Sequence, residues 1–249
     1  MDQIYIPKNR QGLEPGTYVK IIPIEEKTIE RSYFYNIKEL EPIKLEIVNK
    51  IFSIIKNLTK YNNIIIAGSL LDKGFNFKDI DVLLINEEKI NEKNVEKILE
   101  SRLKIPIHLI HMTQKELKKA LMIDPIWRIM LNKSISYKRI PPLPKTNLNY
   151  KYLDAQMIKS NLLIENSECL TGNEKYKLTR NLIAIYLFVK QKHLSKENIE
   201  REIEEKFNIE SEELKNNIID EKFIKKYKKF YKKFEKEIIK NAAKQEKAN

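Results

Sequence analysis

The chain predicts a mixed α/β (α+β) fold, in which a sheet with helices is followed by an all-helical C-terminal module. Three observations carry this expectation. Short apolar runs, "IIIA" at Ile64 to Ala67, "IDVLLI" at Ile80 to Ile85 and "IPIHLI" at Ile105 to Ile110, alternate with segments of helical periodicity. The main proline cluster, "RIPPLPKT" at Arg139 to Thr146, reads as a boundary. Beyond Pro144 there is no proline and a single glycine, Gly172, and the periodicity is helical throughout.

In chain order, residues 1–41 read as a β-rich extension. "EPGT" at Glu14 to Thr17 is a turn signal between "QIYIP" and "YVKIIPI", and "TIERSYFYNI" adds a further strand-like run. Residues 42–140 form the α/β part. Ile43, Ile47, Ile51, Ile54 and Leu58 recur at three- and four-residue spacing and predict a helix with one apolar face. Asn62 and Asn63 end it, and the first buried strand follows. After the second strand, Val95, Ile98, Leu99 and Leu103 predict a helix within a charged segment. After the third, "TQKEL" opens a helix with Thr113 as its cap. Residues 147–249 are expected to be helical. "YKYLDAQMIKSNLLIENSECL" gives one helix. Leu178, Leu182, Ile185 and Phe188 or Val189 line a second, and Ser195 with Asn198 marks the start of the next stretch.

With 42% apolar and 33% charged residues, 249 residues suffice for a substantial core, and no apolar run approaches bilayer length. The N-terminus carries no basic leader followed by an apolar segment, which predicts a cytoplasmic protein without membrane insertion. A lone Cys169 excludes an intramolecular disulfide and a metal site built on several thiolates of one chain. Lys and Arg outnumber Asp and Glu by 47 to 35, for a formal charge of +12, which favours a polyanionic partner or a merely solvated lysine-rich surface.

The stretch that points to chemistry is "AGSLLDKGFNFKDIDVLLI", Ala67 to Ile85, which holds two of the five glycines. In a strand, Asp79 and Asp81 project to the same face while Ile80 and Val82 point the other way. Adjacent carboxylates repel unless a positive charge lies between them. Hard oxygen ligands of this kind suit Mg²⁺ completed by substrate phosphates, or else the two acids are simply a solvated strand end. Gly68 after a buried strand allows a sharp turn and close ligand approach. Backbone N–H groups and the Ser69 hydroxyl then have the chemistry to hold a phosphate oxygen, with Lys73 and Lys78 as candidate cations from the loop. The arrangement is not a Walker loop.

"GSLLDKGFNFKDIDVLL" resembles the signature of the DNA polymerase beta-like nucleotidyltransferase superfamily, especially its minimal prokaryotic members: a Gly-Ser, a variable loop, then Asp-x-Asp at the head of an apolar strand. The similarity covers about Lys44 to Ala120. The resemblance implies that Gly68 and Ser69 hold the triphosphate of a nucleoside triphosphate, ATP foremost, and that Asp79 and Asp81 ligate two Mg²⁺ ions. It implies attack of an acceptor hydroxyl, on RNA, protein or a small molecule, at the α-phosphate with release of pyrophosphate. The chain departs from the pattern at the third acid, where His108 stands on the strand "IPIHLI". Three readings stay open there. His108 serves as base; another acid such as Asp72 replaces the missing one; or transfer is lost and a nucleotide- or partner-binding regulatory protein remains. His111 is expected to face away from His108.

In the helical module, Arg180 is the one arginine singled out, as an acceptor-side candidate by resemblance. The tail, Lys222 to Asn249, carries eleven lysines against three glutamates, interleaved with Phe223, Tyr227, Phe230, Tyr231 and Phe234. That pattern predicts a docked helix with a basic rim, or a surface for RNA, for a protein acceptor or for anionic lipid.

Overall fold

The computed structural model describes residues 32–247. Its sheet has the strand order β1 (Tyr33–Tyr35), β5 (Ser134–Ser136), β2 (Asn63–Ala67), β3 (Ile80–Ile85), β4 (Ile107–Met112). β3 and β4 run parallel; the other pairs are antiparallel. The parallel pair is joined by α2 (Glu92–Leu103), as a crossover of that length requires. The mixed α+β class thus follows the sequence reading. The expected extension over residues 1–41 lies mainly outside the described residues, but its last strand-like run supplies β1.

Strand alternation builds two cores, one on each face of the sheet. Ile64, Ile66, Ile80, Val82 and Leu84 pack with Ile107 and Leu109 against α1 (Pro42–Leu58) and α2. Ile65, Leu83, Ile85 and Met112 pack on the other face with Leu117, Leu121 and Leu131 of α3 (Gln114–Ile123) and α4 (Pro125–Asn132). Thr113 caps α3 in a reciprocal box with Glu116, as its sequence predicts. The α1 face is a correction. Ile43 and Leu58 are exposed and Ile47 half-buried, whereas Val48, Ile51, Phe52 and Ile55 are buried along with the full length of Lys44. The helix is rotated relative to the isoleucine spacing because Phe52 and Lys44 also point inward. α4 and β5 have no counterpart among the expected elements.

Among the described residues β4 is an edge strand, and α2 lies along it. Glu100 Oε1 accepts from the Ile107 N–H at 3.1 Å and Glu96 Oε1 from the Leu109 N–H at 3.0 Å. Two backbone donors that would otherwise face water at the edge are therefore occupied.

The helical part centres on α6 (Gly172–Val189), buried on nearly every side over its last two turns. Around it lie α5 (Tyr150–Glu165), α7 (Lys196–Phe207), α8 (Ser211–Lys215) and α9 (Glu221–Lys247). Ser195 caps α7, as expected. The remainder, read from sequence as one helical stretch, is three helices, because Asn208 and Asn217 adopt left-handed backbone angles between them. The expected docking of α9 is seen. Phe223, Tyr227, Tyr231, Phe234 and Ile238 are buried, Phe207 packs on Phe223 and Tyr227, and the Tyr227 hydroxyl donates to the Ser160 carbonyl at 2.9 Å. No described helix is long and apolar enough to cross a membrane.

Gly172 begins α6 where α8 passes closest. A Cβ there would sit 2.2 Å from the Lys215 carbonyl oxygen and 2.7 Å from the Asn217 nitrogen, both backbone atoms that cannot swing aside. Gly172→Ala is expected to destabilise the protein by about 2 kcal/mol, the usual scale for forced overpacking. The check is a urea titration, in which the midpoint falls while the slope stays constant.

Candidate active site

The turn that ends β2 is shaped by Gly68, whose φ of +82° is one that side chains rarely adopt. The turn continues as a short 3-10 segment, Ser69–Leu71. Ala67 pairs across the ladder with Asp81, so the glycine stands directly against that carboxylate. A Cβ on Gly68 would lie 2.2 Å from Asp81 Oδ2. On the other side, parallel pairing sets Asp81 opposite His108, and His108 Nδ1 is 2.9 Å from Asp81 Oδ1. Turn, carboxylate and imidazole therefore meet at one end of the sheet. His108 is exposed, Asp81 half-buried, and the Ser69 hydroxyl has no protein partner among the described residues.

Asp79 precedes β3 and is exposed, while Ile80 between the two acids is fully buried. Because β3 begins at Ile80, Asp79 lies outside the strand, and of the two acids expected to share a strand face only Asp81 occupies a ladder position. Lys73 and Lys78 are exposed and have no ion-pair or hydrogen-bond partner among the described residues. His111 lies three residues beyond His108, with Nε2 3.3 Å from the Asn86 carbonyl and Nδ1 3.8 Å from Glu92, apart from the cluster.

Other cations are brought to the turn. Asp72, at the end of the 3-10 segment, accepts from Lys133 Nζ at 2.7 Å and Lys196 Nζ at 3.1 Å. Burial would raise its carboxyl, but the two ammonium groups outweigh that and hold it below its ordinary value. The Asp72 carboxylate is thus engaged by two lysines, whereas His108 is the residue in register with Asp81. Lys133 and Lys196 went unread because they lie 61 and 124 residues from Asp72 in a chain full of lysine.

The loop from Asp72 to Phe77 is tied to the start of α1. Lys44, with no exposed surface, donates from Nζ to the Asp72 carbonyl at 2.5 Å and pairs with Glu41 at 3.0 Å; its ammonium lies 5.3 Å from the Phe75 ring centre. Glu41 Oε1 also accepts from the Gly74 N–H at 2.7 Å, and that bond, with Lys44 second, holds its carboxyl at about 2.

Arg180 lies half-buried on α6. Burial lowers its guanidinium below the ordinary value, while Tyr176 and Asp81 act to raise it, so it lies within the field of the Asp81 carboxylate. Its Nε and Nη2 donate to Asn181 Oδ1 at 3.3 and 3.0 Å. The helical part thus contributes Lys196 to the neighbourhood of the Gly-Ser turn.

Among the described residues, no group of three His, Cys, Asp or Glu side chains is gathered as a metal cage. The pair that the fold brings together is Asp81 with His108, while Asp79 stands exposed two residues earlier; an accessible carboxylate suits a hard cation that takes its remaining ligands from a substrate. A separate surface concavity, lined by Asn147, Leu148, Asn149, Ala242 and Gln245, holds none of these groups. No protein-family model matches the chain, and neither a curated protein nor a solved structure is found to be similar to it.

Two outcomes are expected from this geometry. Gly68→Ala forces Asp81 away from the turn, so the His108 ring resonances in a histidine-detected ¹⁵N spectrum shift, and the urea midpoint falls by about 1–3 kcal/mol of stability. Asp72 has a lowered folded-state pKa, so its contribution is present above the unfolded value near 4 and is lost as pH falls through the folded one. Asp72→Asn should therefore be less stable than the parent at pH 7, by at most about 1 kcal/mol for so exposed a pair, and the two urea midpoints should converge on acidification below about pH 4.

Proposed function

We propose that the protein binds a nucleoside triphosphate, ATP first among those to test, with Mg²⁺ at Gly68, Ser69, Asp79 and Asp81, and transfers its nucleoside monophosphate to an acceptor hydroxyl. The observation that carries this reading is the position of the Asp81 carboxylate, with one oxygen against the Gly68 turn and the other on His108. The resemblance of "GSLLDKGFNFKDIDVLL" to nucleotidyltransferases supports it, as does the lack of room for any side chain between turn and carboxylate. The cytoplasm, where triphosphates are abundant, is the proposed location.

The roles follow from the chemistry of each group. The open turn and the free Ser69 hydroxyl receive phosphate oxygens. Asp79 and Asp81 would hold the two Mg²⁺ ions together with those oxygens, and bound metal would supply neutralisation of charge developing on the phosphoryl group. With the Nδ1 proton donated to Asp81, His108 keeps the Nε2 lone pair for the acceptor hydroxyl. As the hydroxyl oxygen bonds to the α-phosphorus, the bond to the bridging oxygen breaks, pyrophosphate leaves, and the hydroxyl proton passes to Nε2. Lys133 and Lys196, held at the turn by Asp72, supply the positive charge for the terminal phosphates that the sequence reading assigned to Lys73 and Lys78. Arg180, on α6 and subject to the charge of the same carboxylate, is the candidate to orient the acceptor.

A second reading has an observation of its own. An imidazole stands where three-acid transferases carry a carboxylate, which favours a protein that binds nucleotide or a macromolecular partner without transfer.

Incubation with α-labelled ATP or CTP and Mg²⁺ or Mn²⁺ separates the two. For the transferase, label enters an acceptor and is lost in Asp79→Ala/Asp81→Ala. His108→Ala slows incorporation by about 10²–10⁴-fold, the range for a general base. Lys196→Ala raises the KM for the triphosphate about tenfold with kcat little changed, the signature of uniform binding. Binding of nucleotide or RNA without incorporation under either metal supports the second reading, no nucleotide binding overturns the transferase, and binding of neither nucleotide nor a macromolecule overturns both.

A further inference from the structure

The outer side of α9 carries a row of exposed lysines. Its apolar stripe is committed to the helical core, which turns the opposite side to solvent. There Lys222, Lys229, Lys232, Lys233, Lys236 and Lys240 are exposed, and none has an ion-pair partner among the described residues. Of the four acids of α9, Glu235 is hydrogen-bonded with the Tyr231 side chain and the other three are held in ion pairs. Glu237 is bound by Lys190 at 2.7 Å and Glu246 by Lys151 at 2.5 Å, both lysines from outside the helix, and Glu221 is bound by Lys225 at 3.0 Å.

Lysines four apart on one helix face repel, and each such pair costs a few tenths of a kcal/mol. Lys229 with Lys233, Lys232 with Lys236, and Lys236 with Lys240 are all so spaced. From Lys222 to Lys240 the row runs about 27 Å at the helical rise, a span of about eight phosphates along one strand of a duplex. An amphipathic membrane helix works through its apolar face. Here that face is buried, and Ile239 is the one strongly exposed large apolar side chain of α9. No aromatic ring is exposed on the outer side for base stacking, and no arginine is present for bidentate base contacts.

We propose that the outer side of α9 is a binding surface for the sugar-phosphate backbone of nucleic acid, held through lysine–phosphate contacts and indifferent to base sequence. Its support is independent of nucleotide transfer, so either proposal can stand if the other falls.

The test is fluorescence anisotropy of the full chain with labelled single-stranded RNA and duplex DNA over a salt series, with phosphatidylserine-containing vesicles as a parallel arm. Each lysine that meets a phosphate contributes about 0.7 to 0.9 to the slope of log K against log salt. Lys229→Gln/Lys232→Gln/Lys236→Gln/Lys240→Gln is therefore expected to lower the slope by about 3 and weaken binding at low salt at least tenfold, with an unchanged circular dichroism spectrum. A control with the same charge loss elsewhere, Lys93→Gln/Lys97→Gln/Lys115→Gln/Lys118→Gln, is expected to keep most of the affinity. Equal losses in the two variants, an unchanged slope, or tighter binding to vesicles than to either nucleic acid would each overturn the proposal.

Discussion

A lysine with no exposed surface is the constraint on which the site depends. An ammonium group in the interior needs its charge and its donors met nearby, because leaving either unmet costs several kcal/mol. Lys44 meets them with Glu41 and the Asp72 carbonyl, and Glu41 in turn holds the Gly74 amide. The segment between the Gly-Ser turn and the two aspartates is thereby tied to the first turn of α1. With Asp72 fixed, its carboxylate can draw Lys133 from the end of α4 and Lys196 from the start of α7 to one place. A single internal charge thus sets the course of the loop and, through it, where the helical part meets the sheet.

The cluster at the end of the sheet follows from pairing rather than from side-chain preference. Antiparallel register brings Ala67, and so Gly68, to Asp81, and parallel register brings His108 to the same carboxylate from the opposite side. Neither contact needs a flexible side chain to reach. One strand shifted by a single residue would turn its partner to the other face of the sheet. The buried runs Ile64 to Ala67 and Val82 to Ile85 leave little freedom for such a slip.

Much of this could be read in the chain beforehand. The three apolar runs became β2, β3 and β4, and the caps at Thr113 and Ser195 fell where their side chains could accept backbone donors. Gly68, Asp81 and His108, all singled out in the sequence, meet at one end of the sheet. What escaped was short or distant. β5 is the three-residue Ser-Ile-Ser, with too few residues to show a period, yet it bridges β1 and β2. Nothing in the sequence marks Lys44, because a buried salt link between α1 and a loop has no local signature. Lys133 and Lys196 carry no mark that separates them from many other lysines; only the folded path shows which two converge.

The lining of β4 by Glu96 and Glu100 bears on how copies of this protein behave when crowded together. A strand whose outward amides are already bonded to carboxylates of its own chain is a poor template for another strand, and acidic side chains along that margin would have to be stripped of water or displaced before a second sheet could register there. The crossover helix therefore does two jobs: it connects parallel strands, and it closes off one route by which stacked, fibre-like assemblies begin.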